Sequence, residues 1–116
     1  MKKAYFLQTC DTCRRILKEV NLVGFELQEL KKTPINETQL AEMYAMTNSY
    51  EALFNRRAIR YRLLDLKSKH LSEADYKKYI LQEYTFLKRP VFIVDDEIFV
   101  GNSKKVIQHL KNKVGS

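Results

Sequence analysis

A short apolar run, Ala4–Leu7, stops at Gln8-Thr9 and leads straight into Cys10-Asp11-Thr12-Cys13, behind which Ile16, Leu17, Val20 and Val23 recur at helical spacing. So short a run suits a buried strand and is too brief for a helix, whereas the later spacing gathers apolar side chains on one helical face. The start of the chain is therefore committed to a strand, a cysteine-bearing turn and a helix, with Gly24 as the expected stop. Phe25, Leu27 and the polar residues between them alternate up to Leu30, which predicts a second strand closing a βαβ unit.

The middle of the chain reads differently. Lys31-Lys32-Thr33-Pro34 breaks the pattern, and Asn36 with Gln39, flanked by Ile35 and Leu40 as a hydrophobic staple, marks a helix that runs through Met43 and Tyr44. From Tyr50 to Leu66 helix formers abound, but apolar and polar residues are mixed, so one or two short helices are expected. Ser72 with Asp75 is a second capping signal, and Tyr76, Tyr79, Ile80, Tyr84 and Leu87 trace a stripe that should form the most regular helix of this block. Lys88-Arg89-Pro90 ends it, because proline lacks an amide donor and disfavours helical backbone in the residue before it. Val91–Val94 and Ile98–Val100 around a turn at Asp95-Asp96-Glu97 read as a hairpin. Gly101-Asn102-Ser103 then opens a last helix with Val106, Ile107, Leu110 and Val114 on its inner face. The expected order is βαβ, a helical block at residues 34–87, then ββα, so that residues 1–33 and 88–116 make one α/β core.

At the junction of strand and helix, Cys10 faces unpaired backbone amides and the positive end of the helix dipole, which favour a thiolate. Cys13, about one turn further in, is expected to be more buried and less acidic. That asymmetry suits thiol–disulfide exchange: Cys10 attacks, and Cys13 resolves the mixed disulfide. Arg14 and Arg15 add positive charge beside the pair. A zinc site would need two further ligands, and the two histidines, His70 and His109, are single and far apart in sequence. Pro90 is the second candidate element, as a cis proline opening a strand beside the first strand and shaping a docking surface for a peptide or thiol.

Two cysteines in 116 residues are too few for a disulfide-stapled scaffold. The beginning carries only a short apolar stretch, below the roughly 7–15 residues of a signal-peptide core. No run approaches the ~20 apolar residues that cross a bilayer. The cytoplasm is accordingly the expected compartment, with no membrane partner, and there a disulfide is more often catalytic or regulatory than structural.

Thr9-Cys10-Asp11-Thr12-Cys13-Arg14-Arg15 near the start, with Lys88-Arg89-Pro90-Val91-Phe92-Ile93-Val94 and Val100-Gly101 near the end, resembles the arsenate reductase (ArsC) and Spx family over essentially the whole chain. The resemblance implies a thioredoxin-like fold, a mixed four-stranded sheet with a helical insertion between its halves. It implies Cys10 as nucleophile and a cis Pro90, with Arg14 and Arg89 at family positions. Catalytic roles fall to Cys10, Cys13 and Arg89, and substrate contacts to Thr9, Arg14, Arg56, Arg57 and Pro90. The family's glutaredoxin-coupled arsenate reductases hold the oxyanion with three arginines. Here Arg89 matches one of them, while Asn55 and Gly101 stand at the places of the other two, which disfavours arsenate. The resemblance leans towards the Spx branch and towards small thiol-dependent reductases. A reductase would act on a thiol or disulfide substrate, with no bound cofactor and with glutathione or a thioredoxin or glutaredoxin system as reductant. An Spx-like regulator would instead bind RNA polymerase and switch with the redox state of the cysteines.

Twenty-one Lys and Arg against fourteen Asp and Glu give a net charge of +7, and Arg56, Arg57, Arg60, Arg62, Lys67 and Lys69 crowd together around the single acid Asp65. No helix-turn-helix, zinc finger or aromatic RNA-binding motif accompanies them, so direct nucleic-acid binding is not expected. An acidic protein surface or anionic glutathione is the better match for Arg56, Arg57 and Arg89.

Overall fold

The computed structural model describes all 116 residues. In chain order it forms β1 (Lys2–Phe6), α1 (Asp11–Glu19), β2 (Glu26–Glu29), α2 (Glu37–Thr47), α3 (Ile59–Leu63), α4 (Glu73–Gln82), β3 (Val91–Val94), β4 (Glu97–Val100) and α5 (Lys104–Val114). Two compact units divide the chain: Met1–Thr33 with Arg89–Ser116, and Pro34–Lys88.

The first unit is built on a four-stranded sheet in the order β2-β1-β3-β4. β1 runs parallel to β2, with Ala4 opposite Leu27, and antiparallel to β3, with Ala4 opposite Phe92. β3 and β4 form the expected hairpin, Ile93 opposite Ile98. This mixed sheet with its helices is the thioredoxin-like α/β architecture that the resemblance implied. β3 is buried along its whole length, as an uninterrupted apolar run demands of a central strand. Ile16 and Val20 after the cysteines and Ile107 and Leu110 of α5 pack onto Ala4, Phe92, Val94 and Phe99, so the apolar stripes of the two helices are spent on one sheet face. Ser103 starts α5 by accepting the Val106 amide at 3.2 Å.

α1 is shorter than the spacing suggested. It ends at Glu19, five residues before Gly24, and Val23 is 77% exposed instead of lining the helix. The β-branched Val20 takes an extended conformation, and the Asn21 amide donates to the Gly115 carbonyl at 3.0 Å. The Asn21 side chain then accepts the Val23 amide at 3.1 Å, an Asx turn that competes with the helix. In β2 the alternation is out of phase with burial, since Leu27 is exposed while Gln28 is buried, its amide donating to the Thr33 carbonyl. β4 begins at Glu97, inside the expected turn.

In the second unit both helices that carry a capping box start where the sequence places them. Asn36 accepts the Gln39 amide at 2.8 Å while Gln39 accepts the Asn36 amide at 3.2 Å, and Ser72 and Asp75 repeat the exchange at α4. α4 nevertheless stops at Gln82 and does not continue to Lys88, so α2 is the longer helix of the block. Glu83 turns the chain extended, a single 3-10 turn follows at Tyr84–Phe86, and Leu87 forms an antiparallel bridge with Phe54. The Asn55 amide donates to the Phe86 carbonyl at 2.7 Å and the Lys88 amide to the Leu53 carbonyl at 2.8 Å. These long-range bonds satisfy backbone groups that further helix would have paired locally, and they bury Phe86 and Leu87. The stretch from Tyr50 to Leu66 holds one five-residue helix, α3, after a 3-10 turn at Glu51–Leu53, and a further 3-10 turn follows at Leu66–Ser68.

Candidate functional site

Cys10 occupies the residue before α1, in extended conformation (φ −97°, ψ 114°), and its carbonyl accepts the Arg14 amide at 3.1 Å while its own amide donates to the Leu7 carbonyl at 3.2 Å. The Cys10 thiol stands where a capping oxygen usually would, against the Thr12 and Cys13 amides of the first turn. The turn that delivers it is tied down from a distance: the Glu29 carboxylate at the end of β2 accepts the Gln8 amide at 2.9 Å and the Lys32 amide at 2.8 Å. Slight burial opposes the charge on Glu29, but these amides hold its carboxyl below the usual range. Glu29 is a positioning residue that sequence reasoning missed; its partner lies in another element, and no local pattern announces the contact.

The two thiols are unalike. Partial burial works against charge on Cys10, yet the Cys13 amide and thiol, the Arg89 charge and the Thr12 amide together hold Cys10 below the ordinary cysteine value. Cys13 is 0% exposed, and burial pushes it up to about 12, with the Leu7 amide acting the other way and the charge and hydrogen bond of Cys10 adding to the rise. One thiol is thus held below the ordinary cysteine value and its neighbour well above it. Both are free thiols.

Arg89 reaches this pair from the entry to β3 and is half-buried. The Arg89–Pro90 peptide bond is cis, and Pro90 is buried with its carbonyl accepting the Gly101 amide at 2.9 Å. Gly101 adopts φ +87°, a backbone conformation that side-chain-bearing residues rarely take. Cys10, Cys13, Arg89 and Pro90 are therefore members of one unit. Thr9 is exposed in the preceding turn.

Three of the other predicted cations, Arg14, Arg15 and Arg56, are engaged in ion pairs of their own. Arg14 pairs with Asp11, three residues back, and Arg15 with Glu19, four residues on, at 3.6 Å. Of the cations that the sequence places near the pair, Arg89 is the one whose charge lowers Cys10, whereas Arg14 and Arg15 face neighbouring acids. Arg56 belongs to the second unit, where it donates to Glu51 at 2.5 Å and to the Tyr76 hydroxyl at 3.0 Å. Arg57 is exposed in the same unit, and its backbone amide donates to the Asn55 side chain. Asn55 also donates its side-chain amide to the Thr85 carbonyl at 3.1 Å, so its side chain is occupied in holding the loop.

Thiol titration separates the pair. Alkylation of Cys10 is expected to have its midpoint below that of an ordinary thiol, because a lowered pKa fills the thiolate at lower pH, while Cys13 stays unmodified in the folded protein. Peptide mass mapping after a pH series with iodoacetamide reads this directly, and two cysteines titrating together near the ordinary value would contradict the asymmetry.

Comparison with known proteins agrees with this architecture. An ArsC-family related protein from Bacteroides fragilis superposes with a TM-score of 0.77 at 18% identity, covering 95% of this chain and 97% of its own. An arsenate reductase from Vibrio cholerae gives 0.76 at 15% identity over 94% and 96%. A protein from Staphylococcus aureus gives 0.75 at 25% identity over 94% and 97%. No curated protein sequence matches the chain. The family profile of ArsC matches residues 5–110, a span that includes both cysteines, Arg89 and Pro90. On that match the chain belongs to the ArsC family and carries its thioredoxin-like oxidoreductase fold.

Proposed function

We propose that this protein is a small thiol–disulfide reductase that uses Cys10 and Cys13 as a nucleophile and resolver. The observation that supports the reading best is the divergence of two neighbouring thiols, one lowered beside Arg89 and one raised by burial. The Cys10 thiolate attacks one sulfur of a partner disulfide, a new S–S bond forms, and the partner's second sulfur leaves as a thiolate. Once Cys10 is bonded, its charge and its hydrogen bond no longer raise Cys13. Cys13 then loses its proton to solvent and attacks the Cys10 sulfur, releasing the second half of the substrate as thiolate. Two electrons have passed to the substrate, and the protein holds a Cys10–Cys13 disulfide. An external dithiol or glutathione pair returns the electrons and closes the cycle.

In this scheme Arg89 stabilises the thiolate and the departing negative charge, and Pro90 shapes the surface on which the partner chain docks. Arsenate is the weaker substrate candidate, because Asn55 and Gly101 carry no positive charge at the positions where arsenate reductases of the family have arginines.

The test is turnover of a peptide disulfide with glutathione, and in parallel with a thioredoxin or glutaredoxin system. Reductant-dependent turnover above the uncatalysed exchange is the expected result. Absence of turnover with every reductant, together with retention of RNA polymerase that changes with thiol oxidation, would replace the reductase by a redox-switched regulator.

A further inference from the structure

Half of the large apolar residues that the protein leaves in solvent belong to one short segment of the second unit: Ile59 is 67% exposed, Leu63 69% and Leu64 42%. Ile59 and Leu63 stand four residues apart and so share one face of α3, while Tyr61 between them turns inward onto the Phe54 ring at 5.9 Å. The aliphatic face therefore points out and the amphiphilic tyrosine in, the reverse of what burial alone would select. Cations flank these residues along the chain. Arg57, Arg62 and Lys67 are exposed and take part in none of the protein's ion pairs, whereas Arg60 reaches Glu83 at 3.8 Å. The one acid of the segment, Asp65, accepts the Ser68 hydroxyl at 2.8 Å.

We propose that the outward face of α3 is a docking surface for an acidic segment of a partner protein that also carries large apolar side chains. Leucine-like anchors would cover Ile59, Leu63 and Leu64, and carboxylates would meet the flanking arginines and lysine. Charge complementarity selects this occupant. A second copy of the chain would bring the same cations into opposition, on a protein already at +7. Nucleic acid would use the cations but has no use for three aliphatic side chains where stacking aromatics are wanted. A lipid surface would need an apolar face longer than the five residues of α3. The inference rests on the second unit alone and does not depend on the thiol chemistry.

The experiment is selection of binders from a random peptide library on the immobilised full-length protein, with an Ile59→Ser/Leu63→Ser variant as counter-selection. The variant removes exposed side chains only, so circular dichroism and thermal unfolding should match the wild type, and the single variant Arg62→Glu provides a second perturbation. The expected result is enrichment of peptides that combine Asp or Glu with Leu or Phe. Their affinity should fall roughly tenfold or more for either variant, and it should weaken as salt is raised. No enrichment over the counter-selected variant would overturn the proposal. So would peptides lacking acidic residues, or tighter binding of duplex DNA or phosphatidylserine vesicles through the same residues. Self-association of the wild type that the Ile59→Ser/Leu63→Ser variant abolishes would overturn it in favour of a second copy.

Discussion

Cys13→Ser is expected to lock the protein onto its disulfide substrate, and Cys10→Ser to abolish both adduct and turnover. The difference follows from the two environments. A serine at position 13 keeps a hydroxyl donor beside Cys10 and leaves Arg89 in place, so the groups that hold Cys10 below its ordinary value largely persist. The first attack therefore proceeds, but a hydroxyl cannot displace the mixed disulfide, and the substrate half stays on Cys10. In Cys10→Ser the remaining thiol is fully buried and pushed far above neutral pH by that burial, so it offers almost no thiolate to a partner. Intact-protein mass after incubation with a peptide disulfide separates the outcomes: wild type minus two hydrogens, Cys13→Ser plus one peptide, Cys10→Ser unchanged. Turnover in both variants should fall to the uncatalysed exchange rate. A stable adduct on Cys10→Ser would reverse the assignment of attacking and resolving residues.

The placement of Cys10 and Cys13 at a strand–helix junction was legible because α1 begins at the second residue of a contiguous motif, so its position follows from sequence-local rules. The same holds for the two capping boxes and for β3, whose apolar run admits no polar face. Legibility failed where a contact between distant residues outweighed the local preference. The stripe through Tyr84 and Leu87 favours a longer α4, but pairing with Leu53, Phe54 and Asn55 draws the chain out of the helix. Val23 lies in phase with α1, yet the Asn21 side chain turns the chain first. Arg14 and Arg15 are a different lesson. Their partners Asp11 and Glu19 sit at helical spacings of three and four, a signal present in the sequence that already argued for surface ion pairs over thiolate support. The role of Glu29 had no such signal, since its bond to Gln8 spans twenty-one residues.

The second unit was the least legible part of the chain. Phe54 lies in a segment whose mixed composition announced only short helices, yet it is 0% exposed and sits among three aromatic rings. It stacks on Phe86 at 5.0 Å and 18°, and it meets Tyr76 at 4.9 Å and Tyr61 at 5.9 Å. These partners come from α3, α4 and the turn that follows α4, at spacings that match no helical or strand period, which is why the pattern was invisible. Phe54→Ala removes the ring that all three share and leaves a cavity walled by side chains anchored in different elements, which cannot collapse together to fill it. The expected loss is about 3–5 kcal/mol, near the upper range for a buried residue, read as a lower urea midpoint. Phe54→Leu retains much of the buried aliphatic volume and should lose less than Phe54→Ala, its loss being ring–ring contact of roughly 0.5–1.5 kcal/mol per pair together with residual void. Phe54→Ala and Phe54→Leu of equal stability would show that the cluster is loosely packed. A Phe54→Ala loss below about 1 kcal/mol, the scale of an ordinary surface change, would mean that Phe54 is not the centre of this core.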